Sequence, residues 1–242
     1  MSGPSASLPY GQVLRLDELL QAARVHDDDV DHVLFLATHQ SCEIYFAVVL
    51  RHLEAVRAAL DARDGALAVR RAAPLPVLVA TLVHQFDGLA TLPPEAFHAI
   101  RDALGDASGF QSAQYREIEY LCGLRDSRFL NTAGFTDADR KRLRARLDER
   151  SVQEAYRDFA ADQAERESVE RVRGALLDFD EAFAVWRARH AVLAERFLGG
   201  GTGTAGSDGA AYLWRAARRR LVPDVWPGGS GGSVGPDVAG EA

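Results

Sequence analysis

Apolar residues recur along this chain at steps of three and four over several long windows, whereas stretches that alternate every second residue are nearly absent. The pattern therefore predicts an all-α fold. One window follows an acidic stretch, Asp27 to Asp31, suited to the positive end of a helix, and runs Phe35, His39, Cys42, Phe46, Val49, Leu53, Val56 and Leu60 on one face. A second comes after Pro93-Pro94 and a break from Gly105 to Gly109, and carries Phe110, Tyr115, Arg116, Ile118 and Leu121 into another helix. A third places Leu176, Phe179, Phe183, Trp186, His190, Leu193 and Phe197 on one stripe and ends at Gly199. Further helices are expected at Arg15 to Val25, Val77 to Phe86, Asp137 to Arg150 and Ala210 to Leu221. Together they make a helical bundle, read as one domain over residues 1–222 with no internal repeat. From Pro223 to Ala242 the chain is rich in Gly, Ser and Pro with little to bury, so a disordered tail is expected there.

Composition narrows the picture. With 242 residues, 47% of them hydrophobic, the chain can bury a substantial core. The formal charge of −7, from 35 acids and 28 bases without a long single-sign block, argues against a nucleic-acid partner. Cys42 and Cys122 stand far apart and form neither a disulfide framework nor a zinc motif, which fits a reducing compartment. Met1 to Gly11 lacks the basic and apolar regions of a leader, and no run approaches the roughly 18 apolar residues of a membrane span, so a soluble cytoplasmic protein is expected.

Candidate chemistry rests first on two histidines within apolar stripes, His39 and His190. A histidine in such a place is more often a hydrogen-bonded core residue than a metal ligand. Two in one small domain, with Phe and Trp beside them, also suit a dry, flat-walled pocket for a porphyrin, and both readings stay open. Gly201, Gly203 and Gly206 form a formal G-x-G-x-x-G, but it follows a long helix rather than a strand, which opposes a dinucleotide site. A flap that closes over a polar ligand with Thr202, Thr204 and Ser207, or a plain linker, explains it equally well. Arg116, among Gln111, Ser112, Gln114 and Tyr115, suits bidentate capture of a carboxylate, with a surface salt bridge as its plainer role. The acidic run from His26 to His32 reads as a solvated helix start rather than a non-haem metal site. Arg215, Arg218, Arg219 and Arg220 suit a helix C-terminus.

Taken together, these segments resemble the tryptophan 2,3-dioxygenase family over most of the chain. The resemblance is carried by Tyr10-Gly11 followed by Leu14, Leu16 and Asp17, by Leu34-Phe35 before His39-Gln40-Ser41 and Glu43, and by Ser108-Gly109-Phe110-Gln111-Ser112 with Gln114-Tyr115-Arg116. It continues through Trp186-Arg187, Arg189-His190, and Gly203-Thr204 with Gly206-Ser207, in the family's order. The resemblance implies haem b between long helices, with His190 as the iron ligand and Trp186 beside it, and dioxygen as co-substrate. It further implies His39 as the catalytic histidine near the indole nitrogen, Phe35 as a wall of the indole pocket, Arg116 on the substrate carboxylate and Thr204 on the amino acid group. A homotetramer is implied too, in which Tyr10 and Val13 belong to a segment that completes a neighbouring subunit's pocket.

The chain departs from the family pattern at Val13, where an aromatic residue is usual, at Ser41 and Cys42, and at Ala205 and Asp208. Val13 opens space beside the substrate and can admit a substituted tryptophan. The expected reaction is insertion of both oxygen atoms across the indole C2–C3 bond, giving an N-formylkynurenine-type product. Its rivals are a monooxygenase of the same superfamily that leaves a 2-oxindole in natural-product biosynthesis, a non-catalytic haem sensor with His39 as second axial ligand, and a haem-free helical interaction module.

Overall fold

A computed structural model describes residues 8–24, 29–162, 166–199 and 209–229 of the chain, and among them the regular structure is helical, as expected. Two long helices form the frame: α3, Val30–Asp61, and α10, Arg166–Leu198. Ahead of α3 lie a single turn, α1, Tyr10–Val13, and a short helix, α2, Leu16–Ala23. Between the long helices come α4, Gly65–Ala72, α5, Pro74–Leu89, α6, Pro94–Leu104, α7, Ala113–Cys122, α8, Asp137–Asp148, and α9, Val152–Ala160. The chain closes with α11, Ala210–Arg218.

Local chemistry sets where each helix starts. Asp29 accepts the Asp31 and His32 amides, both at 3.1 Å, and Asp64 accepts Leu67 N–H at 2.8 Å. Pro74 and Pro94 each stand in a first helical turn, where no amide is needed. Thr136 with Asp139 and Ser151 with Glu154 form reciprocal caps. The Gly105 to Gly109 break is followed by a 3-10 turn, Gly109–Gln111, and only at Ser112, which caps Tyr115 N–H at 3.1 Å, does α7 begin. Phe110 therefore sits on that turn, one element earlier than its spacing suggests, which lets its ring lean over Arg116.

Burial of the apolar stripes holds the frame together. α10 packs on α4, α5 and α11, and α3 packs on α4, α5, α7 and α9. Val49, Leu53 and Val56 of α3, Leu75, Val79 and Leu82 of α5, and Leu176, Phe179 and Phe183 of α10 are fully buried, each side chain contributing about 1.5–3 kcal/mol. Gly65 sits where α4 meets α9 and α10: a Cβ there would collide with Ser168 Oγ and come within 2.8 Å of Phe159. A second, smaller cluster of Ala113, Tyr120, Phe135 and Leu143 ties α7 to α8.

Two expectations need correction. By length and composition the stretches Val30–Asp61 and Gly65–Leu89 do pass for membrane-crossing helices. Part of each lines the core, as Val49, Leu53, Val79 and Leu82 do, but 28% of the most apolar window of each is buried, and Ile44, Val48 and Val77 stand exposed. The boundary placed at Pro223 also falls inside packed structure. Pro223–Val225 forms a 3-10 turn, Val222 and Val225 are fully buried, and buried Asp180 of α10 accepts Leu221 N–H at 2.9 Å, Val222 N–H at 3.0 Å and Trp226 Nε1–H at 2.8 Å. Residues 230–242 lie outside the described residues.

Candidate active site

α3 and α10 each turn one histidine toward a shared cavity of about 740 Å³, within the range of roughly 300–1,000 Å³ usual for small-molecule sites. Its wall includes Phe35, His39 and Phe46 from α3, Phe86 from α5, and Trp186 and His190 from α10. The helical period explains the grouping, because residues three and four apart share a face. His190 stacks on Phe86 with ring centroids 5.4 Å apart and lies 5.8 Å from Trp186, while Trp186 meets Phe46 edge-on at 5.5 Å. Among the described residues His190 has ring contacts and no hydrogen bond. Burial, with a smaller contribution from His39, lowers its pKa to about 4, so the imidazole keeps its lone pair at neutral pH.

His39 is arranged differently. Its Nδ1–H donates to the Phe35 carbonyl at 2.8 Å, and its ring lies 4.2 Å from that of Phe35. The ring keeps accessible surface although protein surrounds it, because the space it faces is the cavity. Burial lowers its pKa, against the raising effects of the Phe35 carbonyl and the Glu43 carboxylate. With the proton fixed on Nδ1, neutral His39 presents Nε2 as an acceptor. One turn on, Cys42 is buried with its thiol pushed up to about 12 by burial first and Glu43 second, so it stays protonated. Gln114 of α7 holds Glu43, donating Nε2–H to its carboxylate at 2.8 Å and to its carbonyl at 2.9 Å.

The third element at the cavity is α7, whose Arg116 is 2% exposed. Its guanidinium lies 3.6 Å from the centroid of Phe129 and 4.9 Å from that of Phe110. Nη1 donates to Glu119 at 2.6 Å and Nη2 to the Tyr212 hydroxyl of α11 at 3.3 Å, while Nε has no partner among the described residues. Burial opposes the charge, but Glu119, Tyr212 and Tyr115 outweigh it and raise the pKa. Glu119 also accepts Arg187 Nη2–H at 2.8 Å, and Arg187 Nε–H donates to Tyr115 at 2.8 Å. The surface salt bridge weighed for Arg116 is thus a buried one.

Residues 2–168 match the family profile described as tryptophan 2,3-dioxygenase. The chain belongs to the tryptophan 2,3-dioxygenase family. It is 36% identical to the tryptophan 2,3-dioxygenase of Nocardioides sp. over 91% of this chain and 93% of that one. It is 32% identical to that of Anaeromyxobacter sp. over 93% and 96%, and 29% identical to that of Caulobacter vibrioides over 90% and 96%.

In this member of the tryptophan 2,3-dioxygenase family the cavity gathers Phe35, His39, Arg116, Trp186 and His190 from among the residues singled out in the sequence. Tyr10 and Val13 stand away from it, 74% and 61% exposed on α1. Thr204, with Thr202, Ser207 and the glycines around them, lies outside the described residues. Sequence reading passed over Glu119, Tyr212 and the Glu43–Gln114 pair as a set. The spacing of Arg116 and Glu119, three apart on one helix, was the signal available for the first. Arg187 stands in the Trp186-Arg187 motif, but its pairing with Glu119 and the approach of Tyr212 join distant segments, and nothing local announces either.

Proposed function

We propose that this chain is a haem-dependent dioxygenase that cleaves the indole C2–C3 bond of L-tryptophan or a substituted tryptophan, giving an N-formylkynurenine-type product. The observation that carries this reading is the pair His39 and His190, brought from the two longest helices to one largely apolar cavity that Arg116 also lines. The names of the relatives agree with it.

The residues present fit a haem. Among the described residues no group of three or more His, Cys, Asp or Glu can hold a metal ion, so iron here would have to bring most of its ligands with it, as a porphyrin does. His190 is a neutral imidazole with no competing hydrogen bond among the described residues, and it lies against Phe86 and Trp186 in one aromatic cluster. Trp186 Nε1 is buried at the cavity wall without an acceptor among the described residues, a cost of about 1–3 kcal/mol that a bound group carrying an acceptor can relieve. His190 would hold the haem iron and Trp186 would lie beside the haem.

Haem supplies the centre at which dioxygen is bound and activated. Everything else in the mechanism is positioning by the protein. Arg116 binds the substrate carboxylate and so fixes where the indole lies. Phe35 and the aromatic wall enclose the ring and exclude water. His39 Nε2 accepts the indole N–H and orients it, while the Phe35 carbonyl keeps the His39 proton on Nδ1. Thr204 contacts the amino acid group. Tyr10 and Val13, exposed here, complete the pocket of another copy in a homotetramer, and Val13 leaves room for a ring substituent. The free, buried state of Cys42 and Cys122 supports a cytoplasmic setting.

Haem-loaded protein incubated with L-tryptophan and with β-methyltryptophan under labelled dioxygen tests the reading by product mass. Two labelled atoms in a ring-opened product are expected. One labelled atom in an intact ring, with a demand for external reductant, would overturn it in favour of a monooxygenase.

A further inference from the structure

Arg116 and Arg187 are both buried, and each has its donors distributed differently. On Arg187, Nε–H goes to the Tyr115 hydroxyl at 2.8 Å, Nη2–H to Glu119 Oε1 at 2.8 Å, and Nη1–H to the Arg219 carbonyl at 2.9 Å. All three of its nitrogens have partners. On Arg116, Nη1–H goes to Glu119 Oε2 at 2.6 Å, Nη2–H reaches the Tyr212 hydroxyl only at 3.3 Å, and Nε has no acceptor among the described residues. The Nε and Nη2 nitrogens form one edge of a guanidinium, the edge that grips a carboxylate with two parallel bonds. Glu119, itself 2% exposed, therefore occupies the opposite corner of Arg116 and leaves the gripping edge without a strong partner.

We propose that Glu119 is a positioning residue for the substrate carboxylate: its two oxygens clamp Arg116 Nη1 and Arg187 Nη2 and hold the Nε–Nη2 edge of Arg116 ready for a ligand. The inference rests on the reading of Arg116 as the carboxylate anchor. Geometry supports a clamp rather than a competing anion. A carboxylate that took the Nε–Nη2 edge itself would block the ligand, whereas Glu119 is drawn away from that edge by Arg187, which α10 carries one turn before His190. The aromatic faces of Phe129 and Phe110 restrict the guanidinium plane from another side. Preorganisation of this kind lowers the ordering cost of binding without touching the ligand.

Dissociation constants of L-tryptophan and of tryptamine, which lacks the carboxylate, distinguish the clamp from a merely structural role. Both are measured by equilibrium dialysis on haem-loaded protein kept free of oxygen, with the Soret band and circular dichroism as checks on the fold. Glu119→Gln is expected to weaken L-tryptophan binding by about ten- to a hundredfold, the range for a hydrogen bond to a charged group, and tryptamine by less than about threefold. In an Arg116→Ala background, Glu119→Gln is expected to add no further loss. Should Glu119→Gln fail to fold, Glu119→Asp takes its place, since the shorter carboxylate cannot span both arginines and the same contrast between the ligands is expected. Equal loss of both ligands, no loss of either, or additive losses in the double variant would overturn the proposal. If Arg116→Ala abolishes the preference for L-tryptophan over tryptamine while the Glu119 variants keep it, the clamp fails and the anchor stands. If Arg116→Ala keeps the preference, the anchor fails and the clamp falls with it.

Discussion

His39 and His190 share a residue type, an apolar helical face and a cavity, yet their environments assign them different work. His190 lies against Phe86 and Trp186, without a hydrogen bond among the described residues, and its pKa is lowered to about 4, first by burial and then by His39. The folded state thus refuses a proton that the unfolded chain accepts below its ordinary value of 6.5. Between those two values the unfolded state binds more protons, so stability rises with pH and is lost as pH falls from about 6.5 towards about 4. Burial lowers the His39 value as well, in the same direction. Urea unfolding of the haem-free protein is expected to show a midpoint that drops across this window, and His190→Leu is expected to flatten the drop. For His39, whose task is orientation through Nε2, a hydrogen bond's worth of effect is expected. His39→Ala should lower turnover about tenfold with the Soret band intact, since the indole N–H is too weak an acid to need an obligatory base. Complete loss of turnover with normal haem would instead make the histidine an acid–base catalyst.

At the level of elements, the site depends on where α10 is held. Its stripe was visible in the sequence as Leu176, Phe179, Phe183, Trp186, His190, Leu193 and Phe197, because apolar side chains at helical spacing have no other common explanation. What fixes its outer side was not visible. Asp180, fully buried, gathers the Leu221 and Val222 amides at the end of the expected domain and, beyond them, the Trp226 indole N–H from a segment whose composition reads as a tail. Arg220 adds a cation–π contact 3.6 Å above Trp226, and Arg157 of α9 pairs with Asp224 at 2.8 Å. Asp180→Ala strands three buried or half-buried donors and is expected to cost about 3 kcal/mol or more, read as a lowered urea midpoint. A change within about 0.5 kcal/mol would mean that the 221–226 segment is not held by this carboxylate.

For the molecule as a whole, the cavity is the place where α3, α5, α7 and α10 converge without filling the space between them. Such a space lined by Phe86, Trp186 and Phe46 leaves apolar surface that packing has not removed, and a ligand bound only by the native state adds stability by mass action. Haem is expected to stabilise the apoprotein by about 2.7 kcal/mol at a hundredfold excess over its dissociation constant, read as a concentration-dependent rise in melting temperature. His190→Ala should lose most of that shift, and a shift that survives the substitution would place the iron ligand elsewhere.

By itself the sequence determined the all-α class, the two long helices and the stripe positions of His39 and His190, since each follows from periodicity and capping over short distances. It also carried the family, through motifs distributed from Tyr10 to Ser207. Only the tertiary structure decided which distant groups meet. Glu119 joins Arg116 to Arg187, 68 residues apart from it in sequence, and Asp180 captures Trp226, 46 residues on. A buried charge or N–H must find a partner wherever packing brings one, and that requirement leaves no local pattern in the chain.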